Sequence, residues 1–105
     1  MGSARIVLVS VPQGGKAESL AEGAVEARLA ACVSIVPAAV SIYRWKGRVH
    51  RDAESLLIIK TRKEKLKGLE RWIKSRHPYE TPEFVALEVG AGSREYLSWL
   101  AEQTK

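Results

Sequence analysis

The stretch that most restricts the fold is the one around Lys46-Gly47, a two-residue turn in which glycine can take a positive φ. Val40-Ser41-Ile42-Tyr43-Arg44-Trp45 enters it, and Arg48 to Asp52 leaves it. The entering arm extends back through Cys32-Val33-Ser34-Ile35-Val36, broken at Pro37 by a bend or bulge. The leaving arm runs on into Ser55-Leu56-Leu57-Ile58-Ile59-Lys60. Both arms are rich in β-branched and aromatic residues and read as strands. A hairpin this long requires a sheet, and in 105 residues its tip must reach beyond the core. On the entering arm Val40 and Ile42 share one face, while Ser41, Tyr43 and Trp45 share the other.

The flanking segments complete the pattern. Arg5 to Val11 is an apolar, β-branched strand ended by Pro12. Gln13-Gly14-Gly15-Lys16 is a loop; it lacks the Gly at Ser10 and the Ser/Thr at Ala17 that a phosphate loop needs. Ala17, Leu20, Ala21, Ala24, Val25 and Leu29 fall at helical spacing. Thr61-x-x-Glu64 reads as a capping box opening a helix at Arg62, with Leu66, Leu69 and Ile73 inward. Phe84 to Val89 is a fourth strand, and Ser93 is the N-cap of a short last helix anchored by Tyr96, Leu97 and Leu100.

The order β-α-β-β-α-β plus a terminal helix predicts an α+β, ferredoxin-like antiparallel sheet with its two main helices on one face. One domain over residues 1–105 is expected, with residues 1–4 a loose N-terminus. The other face stays open, yet the second and third strands carry apolar residues on both sides. Burying Tyr43 or Trp45 is worth ~4–6 kcal/mol gross each, from roughly 150–250 Å² at about 25 cal/mol/Å². Self-association through the hairpin is therefore expected.

Composition removes several function classes. No apolar run reaches a membrane span, and no apolar leader precedes a cleavage site, so the expected compartment is the cytoplasm, away from membranes. One cysteine, Cys32, excludes an internal disulfide and any CxxC site. The absence of Asn, with only two Gln, one Met and one Cys, points to a thermostable protein. The net charge of +5 divides into +8 over residues 44–76 and −3 elsewhere. A basic middle of this kind suits nucleic acid or a small anion, or is a solvated face. An RNA-binding domain of the same strand order would stack bases on aromatics in its first and third strands. Ile6–Val11 and Ser55–Lys60 contain none, so nucleic acid is not an expected partner. No G-x-S-x-G, paired histidines or cysteine beside a base is present, and no enzyme activity is expected.

His77-Pro78-Tyr79-Glu80-Thr81-Pro82-Glu83 is the chain's densest cluster of ligand-type side chains. Its prolines end the preceding helix and stiffen a polar connector, which presents a ligand site or simply turns the chain. Lys60, beside the next helix start, is expected near that connector, where it would hold a small anion. Cys32 reads as a packed small hydrophobe, His50 as solvent-facing, and Trp72 and Trp99 as packing residues.

Leu29-Ala30-Ala31-Cys32-Val33, Ser41-Ile42-Tyr43-Arg44-Trp45-Lys46-Gly47, Lys60-Thr61-Arg62, His77-Pro78-Tyr79-x-x-Pro82-Glu83 and Tyr96-Leu97-x-Trp99-Leu100 resemble, in order and spacing, the CutA divalent-cation tolerance family. The resemblance runs from about Ile6 to Leu100. It implies a homotrimer whose hairpins pair between subunits, which would place Ser41, Tyr43 and Trp45 in the trimer interface. It also implies a role in tolerance of copper and other divalent ions, without an established reaction or a tightly bound cofactor. His77, Glu80 and Glu83 are the metal-ligand candidates this leaves, for Cu(II) or another divalent cation, with a neighbouring subunit supplying missing groups. Some bacterial relatives carry a cysteine in the first strand and a second histidine before His-Pro; here those places are Val9 and Arg76. The loss of soft ligands and the added charge predict weak binding. The alternative is a cleft for a small anionic effector, as in the PII-like trimers, lined by Lys60, His77 and Tyr79; that rests on likeness of fold.

Overall fold

The computed structural model describes residues 2–105. Its elements follow the predicted order: β1 (Ala4–Pro12), α1 (Lys16–Glu26), β2 (Cys32–Trp45), β3 (Arg48–Arg62), α2 (Leu66–Arg76), β4 (Val85–Glu88) and α3 (Arg94–Gln103). The strands form one antiparallel sheet in the order β2-β3-β1-β4. This is the four-stranded ferredoxin-like arrangement that the sequence predicts.

Strand alternation decides the core. Val7, Val9 and Val11 of β1 are fully buried, as is Leu57 of β3, with Ile59 beside it. Ala17, Leu20 and Ala24 of α1 and Leu69 and Ile73 of α2 complete the same cluster. The small residues of α1 let the two helices approach closely, and Trp72 of α2 lies directly over Gly23. Helix α1 ends sooner than its periodicity suggests. Arg28 turns left-handed at φ 61°, and the Leu29 and Ala30 amides both donate to the Ala24 carbonyl. The helix therefore closes on itself before Leu29.

The predicted capping box does not form. Thr61 lies on the buried face of β3, and its hydroxyl donates to the Leu29 carbonyl at 2.7 Å, satisfying a group left over at the end of α1. Glu64 instead sits 3.9 Å from Arg62, and a 3-10 turn over Lys63–Lys65 leads into α2. Tertiary burial of Thr61 outweighs the local cap. At α3 the expectation holds, with Ser93 Oγ accepting from the Tyr96 amide. Arg62 fixes the far end of α3 through Thr104 Oγ1 at 2.7 Å and the Thr104 carbonyl at 2.6 Å. Trp99, unlike half-buried Trp72, is exposed.

Strands β2 and β3 pair from Cys32↔Lys60 to Trp45↔Arg48, with one bulge between Val36 and Ala39. Ala38 there adopts φ 61°, which re-aims the outer half of the strand after Pro37. The hairpin stretches the chain to 44 × 26 × 23 Å. Beyond the helices both its faces are wet: Ile42 is 63% exposed, Tyr43 39% and Trp45 40%.

Candidate functional site

The connector from α2 to β4 is pinned at the end of the sheet where the hairpin departs. His77 ends α2 with extended backbone, as Pro78 requires, while its amide donates to the Ile73 carbonyl. Its imidazole is buried. Nε2 donates to the Ser10 carbonyl at 2.8 Å, and Nδ1 accepts from the Tyr79 amide at 3.1 Å. The carbonyl can only accept and the amide can only donate, which fixes the Nε2–H tautomer and occupies both ring nitrogens. The ring also lies 4.8 Å from that of Tyr79.

Two further ties run from the connector. Tyr79 donates its hydroxyl to Glu54 Oε2 at 2.6 Å, and Glu83 Oε1 accepts from Ser10 Oγ at 3.1 Å. Glu54 is only 3% exposed. Desolvation, reinforced by the bond to Glu54 and its charge, pushes the Tyr79 phenol well above its ordinary pKa. On the hairpin, Tyr43 donates to Asp52 Oδ2, and that bond is the main cause of its own upward shift. Both phenols therefore act as neutral donors to carboxylates across the ordinary pH range.

Between hairpin and connector lies a cleft of about 630 Å³. Ser10 and Glu54 line it from the sheet, Tyr43 and Trp45 from the hairpin, and Tyr79, Glu80 and Glu83 from the connector, with Ser41 beside them. No lysine or arginine lines it. The structure thus brings together Tyr79, Glu80, Glu83, Ser41, Tyr43 and Trp45, and sets His77 behind the cleft as a tether.

Two expectations need correction. Lys60 does not join the connector within the chain. It lies six residues along β3 from Glu54, roughly 20 Å at ~3.3 Å per residue, and bonds Ser34 Oγ at 2.5 Å. The reason is topological: Lys60 precedes α2 and the connector follows it, so the helix carries them to opposite ends of the sheet. The cleft is also acidic, which does not suit the anionic effector. Sequence reasoning missed Glu54, whose signal was a lone acid before the apolar run Leu56–Ile59 of β3.

Metal-ligating groups are scattered. Among the described residues no three His, Cys, Asp or Glu side chains converge. Cys32 pairs with Lys60 at the far end, and half-exposed His50 stacks on Tyr43, with centroids 5.4 Å apart. With both nitrogens of His77 engaged, these residues do not fit a tight metal centre within one chain.

The family model described as "CutA1 divalent ion tolerance protein" matches residues 5–103. The "Divalent-cation tolerance protein CutA" of Thermus thermophilus is 50% identical over 94% of this chain and 96% of its own. A Thermus thermophilus structure of that description superposes with a TM-score of 0.95 at 48% identity, covering 97% of this chain and 99% of the other. The crystal structure of CutA1 from Oryza sativa also gives 0.95, at 42% identity, over 99% and 95% of the two chains.

Proposed function

The chain belongs to the CutA1 divalent ion tolerance protein family, and from that premise we propose that it acts as a cytoplasmic, non-catalytic homotrimer that meets copper or other divalent cations weakly, at clefts between subunits. The match over nearly the whole chain carries the tolerance role. Trimer formation is supported by the apolar residues that one subunit leaves wet. Ile42 and Val49 on one side of the hairpin, Tyr43 and Trp45 on the other, and Val85 and Leu87 on the edge strand are all exposed. Several such side chains along one projecting ribbon exceed what a small soluble monomer leaves bare. Ser41, between Val40 and Ile42, would lie inside the same contact. Weak cation binding is supported by Glu80 and Glu83, whose carboxylates stand at the cleft without a convergent third ligand among the described residues. Native mass spectrometry of untagged protein tests the reading: a trimer that loses divalent ions on brief dialysis is expected. A stable monomer at micromolar concentration would refute the assembly, and a stoichiometric metal surviving dialysis would refute weak binding.

A further inference from the structure

The molecule is basic overall, yet its cleft is lined by acids and aromatic rings. Glu54 is the anomaly in it. A 97% buried carboxylate ordinarily has a cation beside it, because desolvating an unpaired charge is costly. Among the described residues, none of the ion pairs includes Glu54. Its Oε2 takes the Tyr79 hydroxyl, whereas Oε1 accepts no side-chain or backbone hydrogen bond there. Since no buried side-chain oxygen among the described residues lacks a partner, Oε1 is not fully sealed, and Glu54 lines the cleft. No lysine or arginine lines the cleft, and Lys46 at the hairpin tip lies over the Trp45 ring at 5.8 Å.

We propose that this cleft binds a small organic amine as its ammonium, with Glu54 as the anchor. The ammonium donates to Glu54 Oε1, a charge-assisted bond in a partly dry site. Tyr43, Tyr79 and Trp45 line the same cleft, and aromatic rings so placed favour a cation over an anion. Glu80 and Glu83 at the rim accept from a second amino or hydroxyl group. A volume of about 630 Å³ is suited to an organic molecule rather than a bare ion. A metal ion would find a single buried carboxylate where it needs several converging ligands. An anion would face carboxylates on both sides. Because Tyr43 and Trp45 also belong to the proposed self-association surface, the amine would sit at the edge of a subunit contact.

Calorimetry on the assembled protein with three molecules of one length separates these cases: 1,4-diaminobutane, butane-1,4-diol and succinate. The diamine is expected to bind, with the diol and succinate silent. Glu54→Gln should weaken the diamine at least tenfold, with assembly unchanged by sedimentation. If Glu54→Gln disturbs assembly, Glu80→Gln and Glu83→Gln should each weaken the diamine several-fold. Binding of succinate in preference, equal binding of diol and diamine, or copper or magnesium binding that depends on Glu54 while the diamine is silent would each overturn the assignment. So would a diamine silent in every form, as when a basic side chain of a second copy occupies Glu54. None of these outcomes bears on whether the protein is a trimer.

Discussion

Replacing His77 with alanine separates a structural histidine from a metal ligand. The side chain makes two hydrogen bonds, to the Ser10 carbonyl at 2.8 Å and from the Tyr79 amide at 3.1 Å. At about 1 kcal/mol net each they contribute about 2 kcal/mol. The tilted contact with Tyr79 at 4.8 Å adds about 1 kcal/mol. His77→Ala should therefore destabilise by about 3 kcal/mol, which at this chain length lowers the melting temperature by about 12–20 °C at fixed protein concentration. His77→Gln keeps an N–H donor near the Nε2 position, and His77→Asn keeps an acceptor near Nδ1. Each should recover about 1 kcal/mol. Copper titrations of wild type, His77→Gln and His77→Asn should superimpose, because in the native fold neither ring nitrogen has a free lone pair. Urea unfolding and calorimetry together decide the matter. Stability unchanged within about 0.5 kcal/mol on His77→Ala, or a copper heat present only in the wild type, would refute the tether.

Three other outcomes follow from the same geometry. A Cβ on Gly23 would stand 2.6 Å from Trp72 Cζ2, so Gly23→Ala should lose about 1–2 kcal/mol in chemical unfolding, despite about 1 kcal/mol of improved helix propensity, and Trp72→Phe should recover part of it. Ser93→Ala removes the acceptor for the Tyr96 amide and should cost about 1 kcal/mol, measured in the same way. The folded-state pKa of Tyr79 is raised above its unfolded value of about 10, so its contribution is complete below pH 10 and is lost as pH rises further. Stability should thus fall more steeply above pH 10 in the wild type than in Tyr79→Phe, with Tyr43 adding a smaller, solvent-screened slope to both.

Local patterning was enough to place most elements. The alternation of Val7, Val9 and Val11, the spacing of Leu20 and Ala24, and the Lys46-Gly47 turn are properties of neighbouring residues, and each survives folding unchanged. The bend at Pro37 and the Ser93 cap are legible for the same reason. Sequence rules failed where a distant group made the better offer. Thr61 could cap its own helix, but its hydroxyl instead meets the Leu29 carbonyl, 32 positions away.

The site divides along the same line. Its connector was visible as a run of His, Tyr and Glu between prolines, since proline dictates backbone wherever it occurs. That His77 faces inward to Ser10, that Tyr79 meets Glu54, and that Lys60 lies at the opposite end of the sheet depended on strand order and register. Those are set by the packing of whole elements, each positioned by many weak apolar contacts that no short segment contains. Sequence alone determined which chemical groups the chain carries and how each segment folds. Only the tertiary structure decided which of them share a cleft, because the sign of a cleft is the sum of charges brought together, here from Glu54, Glu80 and Glu83.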